Sequence, residues 1–416
     1  MSILRKQLIS ADDSGSVDAF GRWRVSNLTT LFDSKQLHDK LPLFWDEDVV
    51  TSGGTTSVHS STDANTVMTV GAASGDRIIR QTKMRFNYES GKSQLALFTF
   101  VLNNAVANTN KKIGYFNTST TSPYTANEDG LYLEQDGTTQ NFVVAKNGTT
   151  NSVAQANWNK DPFDGTGPSG ITLDWTKTLI LAIDFQWLGV GRVRFGFNIN
   201  GTYCPAHDFN HANSAPSVYM SSPNHSCRYE IRSTGGTASM RHICSSVATE
   251  GGDSSLGILF YGSTQGIHVD CNTENTLYAI VGIRLKADHL DSTVRFLNMA
   301  LQVQNGDIYG EWVLVLNPTV AGTFTYSDIT DSCCQKATGA TANTVTGGFQ
   351  MSGGYTESSS GGKNGSGGSA SAEIINALRL ASKIDGTVDE IVLCFRPIGG
   401  SVNADVEGAV FWRELT

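Results

Sequence analysis

Cys204, His207, His211, His225 and Cys227 come nearest, by type and spacing, to a metal site. Cys204-Pro-Ala-His207 and His207-Asp-Phe-Asn-His211 have separations that zinc ligands use, and His225-Ser-Cys227 would complete a tetrahedral set. The surrounding text argues otherwise. Pro205, Pro216 and Pro223 mark strand and loop, whereas a four-residue spacing puts two histidines on one face only in a helix. No glutamate stands where a His-Glu-x-x-His helix places its general base. The five are read as ordinary loop and core residues, and no metal or cofactor is expected. Cys333-Cys334 is read as two free thiols in a strand or turn, because adjacent cysteines bond each other only in a strained geometry. Pairing with other chains, in a particle that matures outside the cell, is the alternative.

Asp129, Glu134, Asp136, Asp161, Asp164 and Asp174 lie among the aromatics Tyr124, Tyr132, Trp158, Phe163 and Trp175. Glycoside hydrolysis needs two carboxylates on opposite sides of a sugar, and no spacing here singles out such a pair. A sugar-binding face uses the same mixture without a reaction, so Tyr124, Tyr132, Trp158 and Trp175 are its candidate stacking residues. The plainer reading makes Asp-Gly at 129–130, 136–137 and 164–165 turns. The crowding of Asp, Asn and Gly at 159–167 lacks the regular run of an EF-hand calcium loop. Neither a Gly-x-Ser-x-Gly elbow nor a phosphate-cradling glycine loop occurs. No enzymatic activity is expected.

The chain that must position these residues has 416 of them, more than one core usually organises. Charged residues make up 17%, below the roughly 25% of ordinary soluble proteins. Ser, Thr, Asn and 43 Gly supply the polarity instead, a balance suited to strands and turns. The net charge of −9 repels phosphate backbones, so nucleic acid is not an expected partner. No stretch approaches 18 apolar residues, so no membrane span is expected. The opening Met-Ser-Ile-Leu-Arg-Lys lacks the apolar run and cleavage site of a secretory signal, which points to assembly in a cytoplasm and reduced cysteines.

The pattern predicts a mainly β chain: two antiparallel β-sandwich, jelly-roll-like domains behind an extended N-terminal arm. Residues 1–75 form the arm and a turn-like connector, 76–250 a first sandwich, and 251–416 a second with a Gly/Ser-rich insertion at 352–369. In the first sandwich, Leu95–Leu102 and Ile180–Phe185 are strand-length apolar runs. Arg192–Asn200 alternates strictly, with Val193, Phe195, Phe197 and Ile199 toward a core and Arg194, Gly196 and Asn198 toward water. Asn200-Gly201 then supplies a hairpin turn, and 179–204 reads as a three-stranded meander. This meander, with Asp174-Trp175 ahead of it, is similar to those of lectin-like jelly rolls. In the second sandwich the strands are 277–285, 294–303, 311–316, 390–395 and 409–414. Ala372–Ser382 has helical spacing. No internal repeat suggests a propeller or solenoid.

The arm contains Asp18-Ala-Phe-Gly-Arg-Trp-Arg-Val-Ser26, followed by Leu31-Phe-Asp-Ser34. This text resembles the opening segment of a group of tailed-bacteriophage virion proteins. The resemblance implies a structural component of the particle, in a head decoration, neck, tail or fibre. Its partners would be other virion proteins and further copies of itself, with threefold symmetry the expectation from other viral appendages. Its location would be the virion, assembled in the host cytoplasm. Phe20, Arg22, Trp23, Arg24, Phe32, Phe44 and Trp45 are the expected anchoring residues, since aromatics and arginine dominate such interfaces. A host surface glycan, bound by the lectin-like sandwich, is the alternative role.

Overall fold

The computed structural model describes residues 17–19, 21, 27–252, 257–358 and 379–415. The chain divides into two units, Met1–Ser254 and Ser255–Thr416. Both are built from antiparallel strands, in keeping with the mainly β, two-sandwich expectation.

The first unit holds two sheets. An eight-stranded sheet runs in the order Thr202–Phe209, Val193–Ile199, Leu179–Phe185, Gln94–Val101, Ala238–Glu250, Asn65–Val70, Thr56–Ser60. Leu28–Lys35 pairs with the C-terminal half of Ala238–Glu250, end to end with Asn65–Val70, which takes the other half. The seven-stranded sheet runs Thr149–Ala154, Thr139–Lys146, Asp129–Asp136, Thr109–Asn117, Cys227–Ser233, Arg77–Thr82, Trp45–Val50. Period-two alternation sends Ala96, Phe98 and Phe100 from one sheet, and Ile113 and Tyr115 from the other, into one core. The meander is present: Val193, Phe195 and Phe197 are wholly buried. Asn200 and Gly201, at φ 51° and 78°, turn the chain so that Ile199 faces Thr202.

Several expectations need correcting. The connector is not turn-like: Thr56–Ser60 and Asn65–Val70 form a hairpin of the large sheet. Asp129-Gly130 is no turn but the start of a strand, and a Cβ on Gly130 would lie 2.4 Å from the Tyr115 carbonyl oxygen. Asp136-Gly137 and Asp164-Gly165 do turn, with Gly137 and Gly165 at φ 55° and 90°. Arg194, placed in water by its alternation, is buried by chain crossing over it.

The second unit pairs a six-stranded sheet with a four-stranded one. The six run Ser327–Asp328, Cys334–Thr338, Tyr278–Leu285, Glu390–Ile398, Ile308–Leu316, Phe349–Ser358. In the other, the long strand Ala404–Leu415 pairs on one side with Thr293–Val303 and on the other with Ile258–Ser263 and Val269–Cys271. Phe296, Phe395 and Trp412 belong to their shared core. A smaller cluster around Val313, Val315 and Val392 adjoins Val345 of the two-stranded ladder Thr319–Val320 with Val345–Thr346. Residues 352–358 of the Gly/Ser-rich insertion are strand rather than loop. The expected helix at 372–382 lies outside the described residues up to 378. Its end is not helical, since Arg379 bridges Arg295 and Ser382 bridges Val388.

Candidate functional site

In the first unit the centre of interest is the outer face of the eight-stranded sheet. Outward positions of otherwise apolar strands carry opposite charges, Asp184 and Arg194, directly across the ladder. Neither is exposed, because Val17, Asp18 and Ala19 lie over them. Arg194 Nη1 donates to the Val17 carbonyl at 2.7 Å. Arg192 donates to the carbonyls of Asp18 at 3.0 Å and Ala19 at 3.2 Å. The Ser93 hydroxyl donates to Asp184 at 2.5 Å, and Asp184 and Arg194 approach to 3.5 Å. Tyr203 places its ring 5.3 Å from the Arg194 guanidinium. Gly21, at φ 76°, closes a turn by donating its N–H to the Asp18 carbonyl. A cleft of about 210 Å³ stays open beside this seat, between Val17, Leu28, Leu97 and Tyr203. Asp18 and Ala19, the first residues of the arm motif, are thus bolted onto the chain's own sheet. The cross-strand Asp/Arg pair within apolar strands was the sequence signal for this seat.

The expected anchoring residues separate. Phe32 and Trp45 are core residues, joined edge to face at 6.1 Å, so their area is already buried within the chain. Phe44 stays half exposed, its ring meeting Phe32 edge-on at 6.1 Å. Phe20, Arg22, Trp23 and Arg24 lie outside the described residues.

The expected sugar-stacking residues do not form a platform. Trp158 is buried and stacked on Phe142 at 4.0 Å, and Tyr132 is buried against Phe116 at 4.6 Å. Trp175 packs partly into the core beside Phe197, and Tyr124 is half buried, its ring 6.0 Å from the Arg77 guanidinium. The acids among them hold loops. Asp161 accepts the N–H groups of Phe163 and Ser169, each at 2.8 Å, and Asp129 accepts those of Ser221 and Ser222.

The Cys/His set also disperses. His207 Nδ1 accepts the Asn159 N–H at 3.0 Å, and burial pulls its pKa down to about 4. His211 Nδ1 meets the Gly191 carbonyl at 2.8 Å, His225 sits 3.5 Å from Asp129, and Cys227 is buried in the core. Cys204 lies half buried against the Thr202 carbonyl.

The second unit offers two features that the sequence reading missed. One is the edge strand Ile258–Ser263, where Ile258, Leu259 and Tyr261 are 62%, 61% and 66% exposed, followed by Ile267 at 72%. Four consecutive positions, Ile-Leu-Phe-Tyr, were its signal. The other is an open cleft of about 370 Å³ lined by Arg284, Val320, Phe324, Tyr326 and Glu390. The Arg284 guanidinium lies 4.2 Å from the centre of the Tyr326 ring and donates to Glu390 at 2.9 Å and Gln335 at 2.7 Å. Phe324 meets Tyr326 edge-on at 5.5 Å. Gly282 forms the floor, since a Cβ there would lie 2.6 Å from the Tyr326 hydroxyl. Burial, with the Glu390 carboxylate, pushes the Tyr326 phenol up, so it stays protonated. Among the described residues no helix is long and apolar enough to cross a membrane.

No protein-family model and no curated protein matches the chain. Solved structures similar to it include the Emp47p carbohydrate recognition domain, at 11% identity and TM-score 0.35, covering 54% of this chain and 97% of that one. An endo-1,3-beta-glucanase from Streptomyces sioyaensis matches at 12% identity and TM-score 0.35, covering 54% and 97%. A legume lectin-like domain from Entamoeba histolytica matches at 10% identity and TM-score 0.33, covering 55% and 100%.

Proposed function

We propose that this chain is a structural component of a bacteriophage particle and acts by packing against further copies of itself and other virion proteins. The observation that carries this reading is the edge strand Ile258–Ser263. Among the described residues no further strand pairs with its outer side, where the Ser263 carbonyl accepts the Lys336 ammonium at 3.0 Å, and Ile258, Leu259 and Tyr261 stand in water. A flat apolar edge is a template for pairing with another chain, and soluble proteins normally blunt it. Left uncovered it invites aggregation, whereas in an assembly it supplies apolar area and a ladder of backbone hydrogen bonds. In the first unit Leu37, Leu43 and Phe44 are likewise half exposed. The resemblance of residues 18–34 to virion proteins agrees in kind, and the protein would reside in the virion. No catalytic step belongs to this role.

Light scattering on the purified protein tests it. The expected result is a defined oligomer that falls to monomer when Leu259 and Tyr261 are both changed to Lys. A monomeric parent protein at tens of micromolar would overturn self-packing.

A second reading, recognition of a host-surface glycan, is favoured by the cleft at Arg284. Two aromatic rings, a guanidinium and a carboxylate converge on an open polar hollow, the mixture that stacks on a sugar ring and bonds its hydroxyls. A glycan array with the parent protein and Tyr326→Ala separates the readings. Binding lost in the variant supports the second, and an array blank with both removes it.

A further inference from the structure

We propose that Cys333, Cys334 and Glu414 form a binding site for one thiophilic divalent cation of the zinc class. The site lies at one end of the core of the second unit, between its two sheets. One potential ligand atom from each residue, two sulfurs and a carboxylate oxygen, lies within 4.8 Å of the others. All three residues are buried. In an extended strand, adjacent side chains point to opposite faces. Here Cys333 lies outside the strand Cys334–Thr338, in the bend that follows Asp331 at φ 57°, so that alternation does not govern the pair.

Glu414 is the reason to expect a cation. Its carboxylate accepts from the Ser332 hydroxyl, the Cys333 N–H at 2.9 Å and the Trp412 indole N–H at 2.8 Å. All three donors are neutral, and among the described residues no basic side chain is paired with it. A buried carboxylate is normally balanced by a cation or held by a metal. The same donors fix its orientation, as ligand-supporting hydrogen bonds do in metal centres.

The donor set selects the ion. Two sulfurs exclude magnesium and calcium, which take oxygen, and suit zinc or cadmium. Tetrahedral zinc with bonds of about 2.3 Å to sulfur holds its sulfurs about 3.8 Å apart. The observed spread needs a contraction of no more than roughly 1 Å to reach that distance. The Ser332 hydroxyl, which donates to Glu414 and accepts the Cys334 N–H at 3.0 Å, links two of the three residues. Binding converts two thiols to thiolates: each S–H bond is exchanged for a sulfur–metal bond, and two protons go to solvent. No electron is transferred. The ion would tie Cys334–Thr338 of the six-stranded sheet to Ala404–Leu415 of the four-stranded one.

The test is a cadmium titration of the full chain, stripped with chelator and kept reduced with a phosphine. The expected result is an ultraviolet thiolate-to-cadmium band that saturates at one equivalent, with two protons released. Zinc should abolish the band by competition, and excess magnesium should not. Cys334→Ser should weaken binding at least 100-fold. Glu414→Gln, which keeps the shape, should weaken it at least 10-fold while circular dichroism stays unchanged. Cys204→Ser, in the other unit, should leave it as it was. No band at excess cadmium overturns the proposal, as does a band that Cys334→Ser and Glu414→Gln leave undiminished.

Discussion

His242 shows how single residues set the conditions under which this protein is stable. Its ring is wholly buried, 3.8 Å from that of Tyr229 and 4.4 Å from that of Trp45. The Gln36 amide, its oxygen engaged by the Thr66 hydroxyl, donates to Nδ1 at 2.7 Å, and Arg80 Nε approaches the same atom at 3.3 Å. An acceptor between two donors must be neutral. Burial first, and the Arg80 charge second, hold its pKa well below the usual value of 6.5. Burial holds His207 at about 4, and it lowers His211 against the pull of its Gly191 hydrogen bond. A base depressed in the folded state takes up protons more readily when unfolded. Its contribution is therefore complete above pH 6.5 and is lost as pH falls from there toward the folded value. Urea midpoints for the first unit should drop from their neutral-pH value as pH falls below 6.5, with a slope of at most one proton per histidine. His207→Asn keeps an acceptor for the Asn159 N–H and should remove one proton from that slope. An unchanged slope would clear His207 of the role. Arg194 gives a second prediction at this scale. Arg194→Met leaves the Asp184 carboxylate buried without its guanidinium, which should cost about 3–5 kcal/mol. It also frees the Val17 carbonyl, so limited proteolysis should cut ahead of residue 20 sooner than in the parent.

At the scale of elements, the readable strands were those whose pattern follows from one buried and one open face. Val193–Ile199 is the clearest, and its Asn-Gly turn follows from the positive φ that the two positions adopt. Phe349–Ser358 was illegible because Gly353-Gly354 interrupts the alternation of Phe349, Met351 and Tyr355 with Gln350, Ser352 and Thr356, and only Thr356 is β-branched. Its strand is imposed from outside, by the ladder to Ile308–Leu316. Gly354 is needed there, since a Cβ would stand 2.9 Å from three atoms of the Trp312 ring. Gly354→Val should therefore destabilise the second unit by roughly 1–3 kcal/mol, the usual cost of overpacking, despite the better strand propensity of valine. Denaturant titration checks the sign, and a stabilised variant would mean that the strand is held otherwise. The site residues were legible only in part for a related reason. Sequence marks Trp158 and Tyr132 as aromatics near acids. Whether such a ring lies on a surface or in a core depends on sheet register, and here the rings of Phe142 and Phe116 claim them.

At the scale of the whole molecule, the chain carries separate large cores. Phe98 belongs to one in the first unit and Phe296 to another in the second, and the two clusters share no residue. A unit with its own core melts as its own cooperative body unless an extensive apolar interface couples it to the next. Calorimetry should then resolve two transitions. Phe98→Ala should lower one by on the order of 10 °C, from about 3–5 kcal/mol of lost packing. Phe296→Ala should lower the other by a similar amount. The assignment can be made without variants, because acidification to pH 5.5 should move the transition that Phe98→Ala moves: His207, His211 and His242 all lie in the first unit. If both substitutions shift a single transition, the two cores unfold as one, and the virion-packing role would rest on one coupled body rather than on two modules.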